Sequence, residues 1–104
     1  ISAMHGFSNR MIFYNSAGGS YTDVVSIQTD GTIRPGTDNS ANLGTSSYRW
    51  ANVHTADLHC SNEGSQNDID GTWGSYTIQE GESDLFLINN RSGKKYKFNL
   101  TEVS

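Results

Sequence analysis

Aromatic side chains surrounded by amides, hydroxyls and carboxylates are the residues of this chain whose chemistry points most directly to a ligand. Tyr21, Tyr48, Trp73 and Tyr76 lie in such surroundings, and Trp73 stands inside a glycine-rich segment. Aromatic faces stack on sugar rings while amide and carboxylate groups bond the sugar hydroxyls. This grouping is therefore a candidate site for glycan recognition. Tryptophan is also highly buried on average; that alternative is favoured for Trp50 and stays open for Trp73.

A second grouping places two carboxylates, Asp68 and Asp70, directly before Gly71, as calcium loops do. An EF-hand needs oxygen ligands at alternate positions, glycine at the sixth and glutamate at the twelfth. Counted from Gln66, the glycine fits, but Thr77 occupies the twelfth position. The alternative is a polar turn in which the carboxylates accept hydrogen bonds from backbone N–H groups. We therefore expect no metal site, and Asp68 and Asp70 remain weak candidates.

The third grouping, His54, His59 and Cys60, consists of zinc-ligand types. On an extended strand His54 and Cys60 share a face while His59 points away, so the three do not converge on one ion within a chain. One histidine from each chain of a symmetric trimer could still meet on the axis. The sequence favours histidines without a ligand role and Cys60 as a small buried hydrophobe.

Catalytic signatures are missing from the sequence, which has no nucleophile elbow, P-loop or metalloprotease helix. Glu80, Glu82 and Asp84 alternate, so an extended chain would align them on one side. Paired carboxylates can hydrolyse glycosides at a suitable separation. A solvated acidic edge that discourages aggregation between strands is the ordinary alternative. We expect no enzyme activity and no cofactor.

Turn residues recur roughly every eight to twelve positions, which is typical of an all-β fold of short strands and hairpins. The segment Met11–Tyr14 is the first predicted strand, and a glycine loop over 17–20 follows it. The next hairpin turns at Thr29-Asp30-Gly31. A three-residue loop with a left-handed Gly31 pairs Ile27 with Ile33 and buries both, whereas a two-residue loop does not. Pro35 should end the strand, since it lacks a ladder donor.

A similar pattern closes the chain, where Arg91-Ser92-Gly93 is predicted as a three-residue loop. This loop pairs Ile88 with Tyr96 and Phe86 with Phe98 on one face. The opposite face is partly apolar as well, through Leu85 and Leu87. Because an isolated hairpin is marginal in water, we expect this second face to contact a neighbouring chain.

Between the hairpins, Ser46 or Ser47 could cap a single helical turn over residues 48–52. A period-two pattern follows it, and residues 61–75 form the most polar stretch, interpreted as a loop. Residues 76–80 then predict a strand. Its inward side chains should be Tyr76 and Ile78, and its outward side chains Thr77 and Gln79.

The composition is polar and poor in charge. Of 104 residues 34% are apolar and 17% charged, with a net charge of -4. Such a chain has a thin core, and its single cysteine cannot form an internal disulfide. We therefore expect oligomerisation to supply the stability that the core lacks. The charge argues against a nucleic-acid partner, and no apolar run is long enough to span a bilayer. The start at Ile1, without a signal-peptide pattern, predicts a soluble fragment of something longer.

The run Ile27–Ile33, followed by Asp38–Trp50, resembles the pre-terminal region of bacteriophage tail fibres. In many of those fibres a self-cleaving intramolecular chaperone follows, opening with Ser-Asp and then Glu, Arg and Lys. Here Ser61 is followed by Asn62, the basic residues are missing, and the remaining chain is too short for a chaperone, so self-cleavage is not implied. The block 71–80 and the hairpin after it are similar to the ends of structural proteins of marine, contractile-tailed phages.

The resemblance implies an intertwined all-β homotrimer in the virion, at the extracellular tail fibre. Residues 1–60 would form a shaft-like β region with a junction at 36–60, and 61–104 a C-terminal β-hairpin end region. The expected function is non-covalent binding of a host-surface glycan or protein, without membrane insertion. Two alternatives stay open: a purely structural trimerisation and capping module, and an accessory domain of a polysaccharide depolymerase. The candidate receptor-binding residues are Trp73, Tyr76, Asn90 and Arg91.

Overall fold

In the computed structural model of this protein, the backbone is described for residues 2–7, 10–17 and 20–104, and side chains for 10–14 and 22–104. Over these residues the chain is all-β, with two antiparallel sheets of short strands and no helix. This confirms the predicted all-β class. The chain divides into two compact units, Ile1–Ala51 and Asn52–Ser104. The shaft-like character of residues 1–60 stays a prediction.

The first sheet has the strand order β1-β2-β3-β4. Its strands are β1 (Ser2–Phe7), β2 (Arg10–Ala17), β3 (Ser20–Ile27) and β4 (Ile33–Pro35). The predicted strand Met11–Tyr14 lies inside the longer β2, and β1 was not predicted. Ala17 pairs with Ser20, while the two glycines of the predicted loop lie outside the described residues.

The core of the first unit is small. Ile12 is 3% exposed and is the one buried apolar residue among the side chains that the structure describes. Its register partner on β3 is Ser26, which is buried as well. The Ser26 hydroxyl accepts a hydrogen bond from Nε2 of Gln28, so this buried polar group is satisfied, as buried hydroxyls generally are.

The β3–β4 hairpin has the predicted register, with Ile27 opposite Ile33. Gln28 N donates to Thr32 O at 2.7 Å, which leaves a three-residue loop, and Gly31 is left-handed at φ 91°. Pro35 is the last residue of β4, as predicted. The expected burial of Ile33 was wrong, because this side chain is 69% exposed.

The predicted helical turn over residues 48–52 was also wrong. Tyr48 N donates to Thr45 Oγ1 at 3.0 Å and Thr45 N donates to Tyr48 O at 3.0 Å. The turn is therefore closed by Thr45 rather than by Ser46 or Ser47, and no helix follows it in the described residues. Trp50 was expected in the core but is 65% exposed.

The second sheet has the order β5-β6-β7-β8. Its strands are β5 (Leu58–Ser61), β6 (Ser75–Glu80), β7 (Leu85–Asn89) and β8 (Lys95–Lys97). The predicted strand over 76–80 and the polar loop over 61–75 are confirmed to within a residue at their ends. In the part of the chain that the structure describes, no helix has the length and apolar character needed to cross a membrane.

The predicted register of the β7–β8 hairpin was wrong by one residue. Leu87, not Ile88, pairs with Tyr96, and Phe86 pairs with Lys97 rather than with Phe98. The reason is a longer loop: Asn89 N donates to Lys94 O at 2.9 Å, which leaves four residues between them. A shift of one residue exchanges the two faces.

The assignment of inward and outward residues on β6 was wrong as well. Thr77, predicted to point outward, is 3% exposed, while Tyr76, predicted to point inward, is 36% exposed. Each face of the second sheet carries half-exposed or exposed apolar side chains. One face has Leu58, Ile78, Leu87 and Tyr96 in register, and the other has Phe86 and Ile88.

Candidate binding cleft beside Trp73

An open cleft of 470 Å³ lies in the second unit, between the end of β5, the loop over 62–74 and the start of β6. Its lining includes Cys60, Asn62, Asn67, Asp70, Trp73 and Tyr76. Two aromatic rings beside amide and carboxylate groups match the composition that small-ligand sites use for stacking and orientation.

The polar wall of the cleft is organised by Asn67. Its Oδ1 accepts from Ile69 N at 2.7 Å and from Asp70 N at 2.9 Å. Its Nδ2 donates to Asp70 Oδ1 at 2.8 Å and to Thr72 O at 2.8 Å. Side-chain amides often stabilise turns in this way because they mimic backbone bonds. The loop is thus held by its own side chains, as the polar-turn alternative predicted.

Asp70 receives several donors on one oxygen. Its Oδ1 accepts from Thr72 Oγ1 at 2.7 Å and from Thr72 N at 3.1 Å, in addition to Asn67. The Thr72 hydroxyl, then the Asn67 amide and the Thr72 backbone, hold the pKa of Asp70 below its ordinary value. Asp70 is therefore ionised at neutral pH. Among the described residues no three His, Cys, Asp or Glu side chains are placed to hold a metal ion.

The indole of Trp73 is half-buried and braced by Arg91. The guanidinium carbon of Arg91 lies 3.8 Å from the ring centroid, and its Nη1 donates to Trp73 O at 2.9 Å. Such a cation–π contact fixes the ring without a covalent link. Arg91 does not line the cleft itself and contributes to it by holding the Trp73 ring.

Asn90 connects the loop between β7 and β8 to strand β6. Its backbone N donates to Ser75 O at 2.8 Å, and its Nδ2 donates to Thr77 Oγ1 at 3.0 Å. Thr77 Oγ1 also lies 2.9 Å from His59 Nδ1. The buried hydroxyl is thus bonded on two sides, which gives a physical reason for a threonine at this position.

Tyr76 lies against the backbone of Gly74. A Cβ at position 74 would stand 2.9 Å from Tyr76 Cε2, so glycine allows the ring to approach closely. The Tyr76 hydroxyl accepts from Asn89 Nδ2 at 3.4 Å. Of the four residues predicted from the sequence, Trp73 and Tyr76 line the cleft and Arg91 contacts Trp73. Asn90 does not line the cleft; its side chain bonds Ser75 and Thr77 on β6.

Of the remaining candidates, Asp70 and Cys60 also line the cleft. Tyr48 and His54 are exposed and do not line the cleft, and the Tyr21 side chain is outside the described residues. Cys60 was expected to be buried but is exposed. The predicted alignment of Glu80, Glu82 and Asp84 was wrong, because Gly81 N donates to Asp84 O at 2.8 Å and closes a turn.

Sequence reasoning missed Asn62. Its Oδ1 accepts from Gly74 N at 2.7 Å, and its backbone N donates to Gly74 O at 3.2 Å. These bonds close the loop on which Trp73 is carried. The signal that could have found this residue is an asparagine near the start of the predicted polar loop over 61–75, a residue type that often bonds nearby backbone groups.

A larger open groove of 780 Å³ runs between the turn after β6 and the last residues of the chain. Phe98 is its one aromatic lining residue among those described. With fewer stacking surfaces, it fits a ring-shaped ligand less well than the cleft beside Trp73.

Comparison with known proteins adds no relative, since no family model, curated protein or solved structure matches the chain.

Proposed function

We propose that this chain is the C-terminal part of a trimeric bacteriophage tail fibre that binds a host-surface receptor without cleaving it. The observation that carries the proposal is the cleft lined by Trp73 and Tyr76 beside amide and carboxylate groups. The resemblance of residues 27–50 to the pre-terminal region of tail fibres supports the setting in the virion. Weak contacts repeated over three chains would raise the avidity well above that of a single cleft.

The direct test is the double variant Trp73→Ala, Tyr76→Ala, measured as adsorption of virions that carry it. Because both rings line the cleft, adsorption should fall by at least tenfold. A matched control exists in the first unit, where Trp50 and Tyr48 are exposed but do not line the cleft. Trp50→Ala, Tyr48→Ala should adsorb normally. Unchanged adsorption of the cleft variant, with its oligomeric mass preserved, would refute receptor binding at this site.

Cys60 supplies an independent test, since it is the single cysteine of the chain, is exposed and lines the cleft. A bulky maleimide on this thiol should block binding of the purified protein to host cells. The same reagent should leave Cys60→Ser unaffected. Labelling that is complete yet harmless would count against the cleft as the contact surface.

A purely structural role, in which the module only trimerises and caps the fibre, is the second candidate. It is favoured by the exposed apolar side chains on the second sheet, Leu58, Phe86 and Tyr96. A sheet with apolar groups on both faces gains stability when another chain covers one of them. The mass of the protein in solution tests the shared premise of both candidates: a stable monomer at micromolar concentration would refute the trimer.

A further inference from the structure

The loop that carries Trp73 is acidic. Residues 62–74 contain three carboxylates, Glu63, Asp68 and Asp70, and no lysine, arginine or histidine. All three are exposed, and Asp70 lines the cleft. Clustered charges of one sign raise the local concentration of ligands of the opposite sign. The loop therefore attracts cationic ligands to the cleft and repels anionic ones.

The aromatic rings that line the cleft favour the same sign of charge. Trp73 and Tyr76 line it, and aromatic ring faces attract an ammonium group that lies within about 6 Å of the centroid. The guanidinium carbon of Arg91 lies 3.8 Å from the Trp73 centroid. Because Arg91 does not line the cleft, it leaves the Tyr76 ring and the part of the indole that lines the cleft to a ligand. Counted together, the loop and Arg91 keep a net negative charge.

The size and lining of the cleft narrow the kind of cation. A volume of 470 Å³ lies within the range of about 300–1,000 Å³ that small-ligand sites occupy. Among the described residues no three His, Cys, Asp or Glu side chains are placed to hold a metal ion. Two aromatic rings also offer apolar contact surface that a bare ion does not use. The lining thus fits an organic cation with C–H surface of its own, and a sugar ring that bears an amine has both parts.

We propose that the cleft takes a sugar with a free, protonated amine, its ammonium group near Asp70 and its ring against Trp73 or Tyr76. The inference rests on the proposed receptor-binding function and names its ligand class. Asp70 is then a specificity-determining residue, since it is the one charged side chain among the described residues that line the cleft. Arg91 is a positioning residue that holds the Trp73 indole.

The experiment uses the whole chain on a printed glycan array with oligosaccharides in sets of three. The members of a set differ at one nitrogen, which is a free amine, an N-acetyl group or an N-sulfate. At about pH 6 the amine is protonated, so the set varies the charge on a constant ring. We expect the amine to exceed the N-acetyl form by about fivefold in at least one set, the effect of one unit charge at contact distance in water. The N-sulfate should bind least.

Added salt should reduce the preference for the amine, because exposed charges are screened. Equal or stronger binding of the N-acetyl or N-sulfate form in every set that binds, or no binding to any set, overturns the inference.

Two substitutions in the loop separate a charge in the cleft from the charge of the loop as a whole. Asp70→Asn removes the charged group of the lining, while its amide oxygen can still accept from Thr72 and Asn67. The preference for the amine should fall to near parity. Asp68→Asn is the matched control, since it removes one carboxylate from the same loop but does not line the cleft. It should keep most of the preference, and equal losses in the two variants would refute a role for Asp70 in the cleft.

Adsorption of virions distinguishes failure of this inference from failure of the proposed function. Loss of adsorption in both the Asp70→Asn variant and the Trp73 and Tyr76 variant would support both. Loss in the Trp73 and Tyr76 variant, with normal adsorption of Asp70→Asn, would leave receptor binding intact and refute the amine assignment. Normal adsorption of both variants would refute the two together.

Discussion

The loops of the β3–β4 and β7–β8 hairpins share two features but differ in length. Each loop ends in a left-handed glycine, Gly31 at φ 91° and Gly93 at φ 77°. Each also has a side-chain oxygen that accepts from a backbone N–H two residues later: Asp30 Oδ1 from Thr32 N at 3.0 Å, and Asn89 Oδ1 from Arg91 N at 3.0 Å. The first loop has three residues and the second has four.

The difference comes from the surroundings of the second loop. Among the described residues, the hydrogen bonds of the first loop stay within residues 28–32. In the second, Asn90 bonds Ser75 and Thr77 on the neighbouring strand β6, and Arg91 bonds Trp73. A local turn is therefore specified by its own residues. A turn that docks on a neighbouring strand takes the length that the docking requires, and its register follows.

The largest expected effect concerns the end of β4. A Cβ at Gly36 would stand 1.9 Å from Asp23 O, which is backbone and cannot rotate away. Gly36→Ala should lower the free energy of unfolding of the first unit by about 3 kcal/mol, measured by amide hydrogen exchange. Gly81→Ala is the control, since its Cβ would meet the rotatable Phe86 ring at 2.6 Å. Equal losses at both positions would contradict this reasoning.

A smaller effect is expected from Asn90→Ala, which removes the side-chain bonds to Ser75 and Thr77. The second unit should lose about 1–3 kcal/mol, because the buried Thr77 hydroxyl loses a partner. Thr29→Ala, at the matching first loop position of β3–β4, should change stability by less than about 0.5 kcal/mol. Urea denaturation of the two variants tests the contrast. Similar midpoints would show that docking on β6 contributes little.

The two left-handed glycines should behave alike. A Cβ at Gly31 or Gly93 would meet nothing within 4 Å, so only the backbone conformation resists a side chain. Gly31→Ala and Gly93→Ala should each cost about 1 kcal/mol. Asparagine tolerates this conformation better, so Gly→Asn should cost less at both sites. A much larger loss for Gly93→Ala would indicate that docking makes the second loop less tolerant.

The smallest effect is a difference in acid response. The backbone N–H of Thr32, followed by its side chain, holds the pKa of Asp30 below its ordinary value. Because the folded pKa is lowered, the stabilisation is present above the unfolded aspartate pKa of about 3.9 and is lost as pH falls through the folded pKa. The amide resonance of Thr32 should therefore shift between about pH 5 and pH 2.

The counterpart residue in the other hairpin, Asn89, does not titrate, so the amide resonance of Arg91 should stay constant over the same range. Asp30→Asn should abolish the shift at Thr32. A Thr32 resonance that remains constant in the unaltered protein would contradict the role of the Asp30 carboxylate.

The candidate site, like the two hairpins, was predicted only in part from the sequence. Trp73, Tyr76, Asn90 and Arg91 were predicted from residue type and turn pattern; the structure places Trp73 and Tyr76 in the cleft and Arg91 against Trp73, while Asn90 bonds β6 outside the cleft. Asn62 and Asn67 were not predicted, because their importance lies in the bonds that shape the loop around Gly74 and Asp70. Trp50 was assigned to the core because of its residue type, yet the structure exposes it. Residue type indicates what a side chain can do, but not what surrounds it.

The sequence by itself determined the all-β class, the position of strand β6, and the loop and register of the β3–β4 hairpin, because turn chemistry and alternation act between near neighbours. Only the tertiary structure decided the β7–β8 register, the burial of Thr77 and the bracing of Trp73 by Arg91. Each of these depends on a contact between residues 13 to 18 positions apart. Side-chain bonds over such separations compete with local preference, and here they added one residue to a loop and exchanged the two faces of a hairpin.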